Sequence, residues 1–241
     1  MFDLTFVEDE IKMTFQVALV GKDGFVIASD RKATRGGDQN RNLTYTMRTS
    51  TDMRKILVSE DDNLVCACAG NQLVPFVAER LLKSLKDCVG SDMLATLREK
   101  LAEVIAGFNT SRIQEALDGQ MIVAVPGISQ LWEVSFILGQ VVVTAVSNHL
   151  FGGDRSNPGV YFAERCSAEI ADRSVDELKL LAAFTVLEAG FLNQTGVGGL
   201  DVLVSKHGEK PRFLEDAELQ TLCDRTESLH NTLTAEIFRQ H

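Results

Sequence analysis

The sequence predicts an α+β fold in a single domain, and three observations lead to it. Strand-like runs rich in Val, Ile and Phe come in two separate groups. Helical periodicity follows each group, and no repeat or low-complexity linker divides the 241 residues. Helix pairs that cover the outer faces of two packed sheets form a four-layer αββα sandwich. Composition and periodicity alone leave other α+β layouts open.

The first group of strands begins at Thr14. Residues 14–30, TFQVALVGKDGFVIASD, contain two apolar runs on either side of a Gly-Lys-Asp-Gly turn, which predicts a hairpin. The polar segment 35–51 predicts an extended loop or a pair of ragged edge strands. Two more strands are predicted at residues 54–59 and 63–69.

The pattern becomes helical after Gly70. Leu73, Val77, Leu81 and Leu85 recur on one helical face, and a second helix is predicted over residues 91–108 with Ser91 as its N-cap. Strands are predicted again at residues 120–125, 131–138 and 141–146, and a helical region at residues 160–168.

A capping box marks the next helix. Ser174 and Glu177 have the spacing that satisfies two backbone donors at a helix start, so a helix is predicted from there to about residue 192. Gly198 and Gly199 then open a predicted strand at residues 200–205, and a polar helix at residues 216–239 ends the chain.

Composition excludes several classes of function. The formal net charge is −10, which leaves no basic stripe for nucleic acid or anionic membranes. No run approaches the roughly 18–20 apolar residues that span a bilayer, and the first dozen residues are acidic, unlike a signal peptide. The cysteines are odd in number without CxxC spacing, which favours reduced thiols and a cytoplasmic location. They are Cys66, Cys68, Cys88, Cys166 and Cys223.

Three motifs resemble one known family. They are GKDGFVIASDRKAT at 21–34, MRKILV at 53–58 and CACAG at 66–70. They resemble the opening of proteasome-type β subunits and of bacterial proteasome-like ring proteases, which are threonine peptidases of the N-terminal nucleophile (Ntn) hydrolase superfamily. The resemblance implies the αββα Ntn hydrolase fold over residues 14–241. It also implies Thr14 as nucleophile, Asp30 as the carboxylate that orients a lysine, Lys55 as that lysine, and Gly70 as an oxyanion donor.

These residue types suit the implied reaction. A threonine hydroxyl needs a base, and the free α-amine of Thr14 titrates close enough to neutral pH to act as one. A nearby Lys55 ammonium would favour the neutral amine, while Asp30 would offset the lysine charge. The Gly70 N–H would stabilise the tetrahedral oxyanion, and the alternative is a simple turn before the helix.

Four further residues follow from the resemblance as substrate contacts. Thr34 would hydrogen-bond the peptide backbone, and Ala33, Met53 and Cys68 fall where the family builds its specificity pocket. We therefore expect an apolar pocket for medium or large hydrophobic side chains. For Met53 and Cys68, a plain core role is the alternative.

The chain also departs from the family pattern. The stretch between Asp30 and Lys55 is longer than usual, which we interpret as an insertion within residues 35–51. Gln194 and Val197 occupy positions where an acid and a hydroxyl are expected. The remaining serine of that network is either Ser147 or Ser156.

Histidines do not suggest another mechanism. They are scattered without the spacing of metal ligands or of a catalytic triad, so neither a cofactor nor a metal is expected. The four are His149, His207, His230 and His241.

Residues 1–13 precede the predicted nucleophile, so they are interpreted as a leader, a propeptide or a misassigned start. Met13 stands where family precursors commonly carry a glycine. If translation begins at Met13, methionine aminopeptidase would expose Thr14 directly. Residues 7–10, VEDE, can be encoded by GTG GAG GAT GAG, which contains the ribosome-binding sequence GGAGGA.

The sequence thus predicts a threonine-type endopeptidase subunit of a homo-oligomeric ring that cleaves peptides or unfolded proteins. An unfoldase ATPase is a further partner that the resemblance implies. Two alternatives remain open, a noncatalytic ring subunit and an Ntn amidase acting on a small molecule.

Overall fold

A computed structural model describes most of the chain. The described residues are 14–35, 48–50, 53–71, 73–86, 92–107, 117–137, 140–192 and 197–239. The predicted leader 1–13, most of the predicted insertion, Ser91 and Gln194 lie outside them. Within these ranges the fold is α+β, with two five-stranded antiparallel sheets, a two-stranded hairpin and six α-helices.

The first sheet contains the strand that follows Thr14. Its strands lie in the spatial order β10 (His149–Gly153), β1 (Phe15–Gly21), β2 (Gly24–Ser29), β11 (Asp201–Lys206) and β12 (Arg212–Phe213).

The second sheet is formed by the middle of the chain. Its strands lie in sequence order: β5 (Ile56–Val58), β6 (Val65–Gly70), β7 (Gly119–Val125), β8 (Gln130–Ile137) and β9 (Gln140–Val146). A separate hairpin pairs β3 (Ala33–Arg35) with β4 (Arg48–Ser50), in agreement with the predicted ragged strands.

Helices contact the strands of both sheets. Those in the described ranges are α1 (Leu73–Ser84), α2 (Met93–Ala106), α3 (Gly159–Arg165), α4 (Ser167–Ile170), α5 (Val175–Leu192) and α6 (Asp216–Ile237). None of them combines the length and apolar character that crossing a bilayer requires.

Buried apolar side chains form three clusters, because the strands alternate their side chains between two faces. In β1, Val17 and Leu19 belong to the cluster shared with α5, while Ala18 belongs to the cluster shared with the second sheet. In β6, Cys66 belongs to the cluster shared with α1 and α2, and Ala67 to the one between the sheets. Strands covered on both faces have continuous apolar sequences, as these have.

Most predicted elements occur, and two helix starts test the capping predictions. The Ser174 capping box is confirmed: the Ser174 N–H donates to Glu177 Oε2 at 2.8 Å, and the Glu177 N–H to Ser174 Oγ at 3.3 Å. At α2 the prediction of Ser91 as N-cap is wrong. Asp92 is the N-cap, and its side chain accepts a hydrogen bond from the Ala95 N–H.

Two strands lie where the sequence predicts none. β10 carries the glycines 152 and 153, which lower strand propensity, and β12 has only two residues. Both are formed by pairing with distant strands, β1 and β11. The pairing of β10 with β1 matters for the site because it brings residues 153 and 154 beside Thr14.

Candidate active site

Thr14 lies immediately before β1, where the neighbouring strand holds its backbone. The Thr14 carbonyl accepts a hydrogen bond from the Asp154 N–H at 3.0 Å, and Phe15 is paired with Gly153. Gly153 has φ +85°, and a Cβ there would overlap the Thr14 carbonyl oxygen. Glycine at 153 therefore permits the close approach that fixes Thr14.

Asp30 follows β2 and is fully buried beside Thr14. Its carboxylate accepts hydrogen bonds from the Phe15 N–H at 2.9 Å and from the Lys32 N–H at 3.1 Å. Lys55 Nζ donates to Asp30 Oδ1 at 2.8 Å. A buried carboxylate requires such donors, and here three groups satisfy it.

Lys55 connects this carboxylate to the threonine hydroxyl. Its Nζ lies 3.1 Å from Thr14 Oγ1 and 2.8 Å from Asp30 Oδ1, and the side chain is only 5% exposed. The backbone of Lys55 is held by the Cys68 N–H, which donates to its carbonyl at 2.9 Å. The lysine thus extends from the edge of the second sheet to the start of the first.

Burial shifts the acidity of both charged groups. Desolvation lowers the pKa of Lys55, although the adjacent Asp30 carboxylate offsets part of the effect. Desolvation likewise raises the pKa of Asp30, opposed by Lys55 and by the backbone donors. Groups whose pKa is shifted by burial and by one specific charged partner are frequent at functional sites.

Gly70 ends β6. Its N–H points toward the same side of β6 as the segment that contains Lys55. In an antiparallel strand, residues two apart direct their N–H groups to the same edge, and the Cys68 N–H reaches Lys55. Gly70 is exposed and has φ +130°. A Cβ on Gly70 would lie 2.5 Å from the Asp118 carbonyl oxygen, so the packing of β7 by itself requires glycine here.

Replacing Gly70 with Ala is expected to lower the free energy of unfolding by roughly 1–3 kcal/mol. The added Cβ would meet backbone atoms in a conformation that L-residues rarely adopt. Urea denaturation measures the loss. Gly127→Ala is the matched control, since a Cβ there has no atom within 4 Å. Equal stabilities of the two variants would contradict the assignment of strain to Gly70.

The predicted substrate contacts divide into two groups. Ala33 and Thr34 lie on β3, and the Met53 N–H donates to the Arg31 carbonyl at 3.0 Å, so these three lie in or next to the hairpin segment. Met53 is 38% exposed. Cys68 is 3% exposed in the apolar cluster that β6 shares with α1 and α2. Burial raises the pKa of its thiol well above the ordinary value. Substrate contact by any of the four stays a prediction.

The two serine alternatives lie at opposite ends of β10. Ser147 precedes the strand, and its Oγ donates to Asn148 Oδ1. Ser156 follows the strand, and its Oγ donates to Oδ1 of Asp154, the residue whose N–H holds the Thr14 carbonyl. Ser156 is thus on the Thr14 side. Val197 is buried in the apolar cluster under α5 and contributes no hydroxyl.

Sequence reasoning missed an acidic residue beside this region, Asp201. It begins β11, is 3% exposed, and lies 3.9 Å from Arg31 Nε and 3.8 Å from Arg54 Nε. The sequence feature that could have identified it is an aspartate just after the Gly198-Gly199 pair. The family pattern instead places the acid before that pair, at Gln194. In the part of the chain that the structure describes, no group of three or more His, Cys, Asp or Glu residues could hold a metal.

Solved structures of Anbu proteins share this fold. Anbu, named as an ancestral beta-subunit, from Yersinia bercovieri has a TM-score of 0.65 and 16% identity, covering 94% of this chain and 98% of its own. Anbu from Hyphomicrobium sp. strain MC1 has a TM-score of 0.64 and 14% identity, over 94% and 99%. A Gly-1 mutant of that protein has a TM-score of 0.63 and 13% identity, over 95% and 99%.

No family model and no curated protein matches the chain. The predicted membership among proteasome-type β subunits and bacterial proteasome-like ring proteases is wrong, because the structural neighbours are Anbu proteins and not established proteasome β-type proteases. The motifs between Thr14 and Gly70 mark strand ends that structures of one fold can share. Such short motifs therefore indicated the fold but did not discriminate between the families that have it.

Proposed function

We propose that this protein is an N-terminal nucleophile hydrolase that cleaves peptide bonds with Thr14. The observation that carries the proposal is the position of Lys55 Nζ, 3.1 Å from Thr14 Oγ1 and 2.8 Å from Asp30 Oδ1. A hydroxyl beside a buried lysine that a carboxylate holds in place is an arrangement that stabilises the alkoxide as it develops on a weak oxygen nucleophile.

In the proposed mechanism the Thr14 hydroxyl oxygen attacks the carbonyl carbon, and its proton passes to the free Thr14 α-amine. Lys55 stabilises the developing alkoxide and keeps the amine neutral, while Asp30 holds Lys55 in place. The Gly70 N–H donates to the oxyanion. The protonated amine then gives its proton to the departing amine of the substrate, and water hydrolyses the ester at Thr14.

This mechanism requires an active domain that begins at Thr14, over residues 14–241. The α-amine of Thr14 serves as a base only when residues 1–13 are absent, since an amide nitrogen does not accept the proton. The segment 1–13 is accordingly proposed to be a removable leader or a start that the mature protein lacks.

The architecture proposed with this function is the four-layer αββα sandwich. Support comes from the three apolar clusters, one between the sheets and one between each sheet and its helices. We further propose a ring assembly, supported by the shared fold with a protein named as an ancestral beta-subunit. Large apolar side chains exposed on α3, α5 and α6 favour burial against other subunits. Examples are Tyr161, Phe191 and Leu233.

The proposed substrate is a peptide or an unfolded protein in the cytoplasm. Free thiols at Cys66, Cys68, Cys166 and Cys223 support a reducing compartment. A panel of fluorogenic peptides and small amides would separate an endopeptidase from a small-molecule amidase. Hydrolysis of small amides alone would contradict the peptidase proposal.

Removal of residues 1–13 is expected to switch activity on. Intact mass spectrometry of the protein, expressed from its own gene context, gives the N-terminus, and peptide hydrolysis is measured on the same preparation. A full-length chain is expected to be inactive, because its Thr14 nitrogen is an amide, and a chain that starts at Thr14 to be active.

The control for this experiment is a chain that starts at Phe15, which has no threonine nucleophile and whose fold is checked by circular dichroism. Equal hydrolysis by all three forms would contradict the mechanism. Inactivity of an assembled chain that starts at Thr14 would favour a noncatalytic subunit. The buried Val197, at a position where the family pattern has a hydroxyl, supports that alternative.

A further inference from the structure

The residues of the proposed site come from two different sheets. Thr14 precedes β1 and Asp30 follows β2, both in the first sheet. Lys55 precedes β5 and Gly70 ends β6, both in the second sheet. The distance between the threonine hydroxyl and the lysine therefore depends on how the two sheets are held relative to each other.

The centre of the interface between the sheets is apolar. Ile27 and Leu203 of the first sheet pack in one cluster with Ile122 and Leu131 of the second. Apolar burial is roughly proportional to area and has no preferred direction, so it resists separation more than it resists sliding. Directional contacts add to the interdigitation of side chains in fixing the register of one sheet on the other.

Two buried glutamines supply such contacts in opposite directions. Gln16 of the first sheet is fully buried, and its Nε2 donates to the Cys68 carbonyl of the second sheet at 2.5 Å. Gln120 of the second sheet is 8% exposed, and its Nε2 donates to the Phe151 carbonyl of the first sheet at 3.2 Å. Its Oε1 accepts from the Gly153 N–H at 3.3 Å.

Both glutamines lie at the end of the interface where Thr14 is. Gln16 is two residues beyond Thr14, and its partner on β10 is Gly152. Gln120 is paired with Ala69, the residue before Gly70. These hydrogen bonds between the sheets therefore hold the backbone next to Thr14, the proposed nucleophile, and next to Gly70, the proposed oxyanion donor.

Gln16 lowers the stability of the fold relative to an apolar residue at this position, if its role is only to fill space. Its Oε1 has no hydrogen-bond partner among the described residues, and a buried amide oxygen without a partner costs stability. An apolar side chain of similar length would avoid that cost. What the amide adds is the directed bond to the Cys68 carbonyl.

We propose that Gln16 and Gln120 are positioning residues, an amide clamp between the two sheets that sets Thr14 at its distance from Lys55 and Gly70. The clamp acts through the backbone of β6, β7 and β10 and does not touch substrate. As a contribution to catalysis, it rests on the proposed function of Thr14.

Gln16→Met is the first test, because it keeps the length of the side chain and removes the donor. Hydrolysis is measured on the form in which the wild type is active. We expect kcat to fall at least about tenfold, with KM changed less than about threefold, since displacement of reacting groups by about 1 Å is that costly. The melting temperature is expected to move by only a few degrees. Gln120→Met is expected to behave in the same way and serves if Gln16→Met does not fold.

Leu131→Ala is the matched control. Leu131 belongs to the same apolar cluster but is paired with Ala124, at the end of β7 away from Gly119. It is expected to lower the melting temperature more than Gln16→Met does, while kcat stays within about twofold of the wild type. If Leu131→Ala lost as much kcat as Gln16→Met, any weakening of the interface would lower activity. The glutamines would then have only a structural role, and the proposal would be overturned.

Crystal structures of the full chain give a readout that does not depend on activity. In Gln16→Met the separation of Thr14 Oγ1 and Lys55 Nζ is expected to exceed hydrogen-bond range, whereas Leu131→Ala should retain the 3.1 Å of the wild type. An unchanged separation in Gln16→Met would overturn the proposal. If the wild type proves inactive, the proposed function fails, and this separation still decides whether the clamp sets the geometry.

Discussion

Replacing Thr14 with Ala is expected to abolish peptide hydrolysis, with a loss of at least about 10³-fold in kcat. The variant keeps the α-amine, Lys55 and Asp30, but lacks the oxygen that attacks the carbonyl. Because Thr14 precedes β1 and is held through its backbone carbonyl, the fold should not change. Fluorogenic peptide hydrolysis measures the loss, on chains that begin at residue 14.

Two comparisons make this result specific. Thr14→Ser keeps the hydroxyl and is expected to retain measurable activity. Treatment of the wild type with an electrophilic peptide should add the mass of the peptide to Thr14, and Thr14→Ala should not be labelled. Full hydrolysis by Thr14→Ala would show that another residue attacks the substrate, and the proposed mechanism would be abandoned.

Replacing Lys55 with Met is expected to reduce both stability and activity. Asp30 is fully buried, and loss of its partner at 2.8 Å leaves a carboxylate without its counter-charge. Breaking a buried ion pair from one side typically costs about 3–5 kcal/mol. Urea denaturation of the full chain measures this cost. Hydrolysis should fall by about 10²-fold or more, since the hydroxyl loses the group beside it.

A surface lysine and a double variant serve as the controls. Lys86 pairs with Glu60 at 3.5 Å with both side chains more than half exposed, so Lys86→Met should change stability by less than about 1 kcal/mol. The double variant Asp30→Asn, Lys55→Met removes both charges and is expected to recover part of the stability without recovering activity. Recovery of both properties would contradict a catalytic role for Lys55.

The cost of Lys55→Met should also depend on pH. Burial raises the pKa of Asp30, and Lys55 opposes that rise, so the variant has a still higher folded-state pKa. A group with a raised folded-state pKa binds its proton more tightly in the folded state, which stabilises the fold at low pH. The loss of stability is therefore full at neutral pH and shrinks as the pH falls through the raised pKa. A loss that grew in mild acid would contradict a buried, unpaired Asp30.

Local pattern was sufficient to predict much of the fold. Continuous apolar runs in β1, β2 and β7 reflect strands that are covered on both faces. The spacing of Ser174 and Glu177 predicted the start of α5 because a capping box involves only residues near in sequence. The same logic failed for β10, since a short strand with two glycines forms only where a distant strand such as β1 is there to pair with it.

The candidate site was predicted less evenly. Thr14, Asp30 and Lys55 were singled out through family resemblance, and their spacing in the chain implies no contact between them. Asp201 was missed because its proximity to Arg31 and Arg54 depends on the pairing of β11 with β2. For Cys68 the sequence left a pocket position and a plain core role open, and the alternation of β6 places its side chain in the cluster under α1, while substrate contact stays a prediction.

By itself, the sequence determined the α+β class, most element positions and the residue types available for chemistry, because periodicity, capping and turn propensity act over a few residues. Only the tertiary structure decided which residues meet. Lys55 lies 41 positions from Thr14, and their hydrogen bond exists because side chains of the two sheets pack in one shared cluster. That register depends on long-range strand pairing and on buried polar contacts such as those of Gln16 and Gln120. No local pattern encodes them.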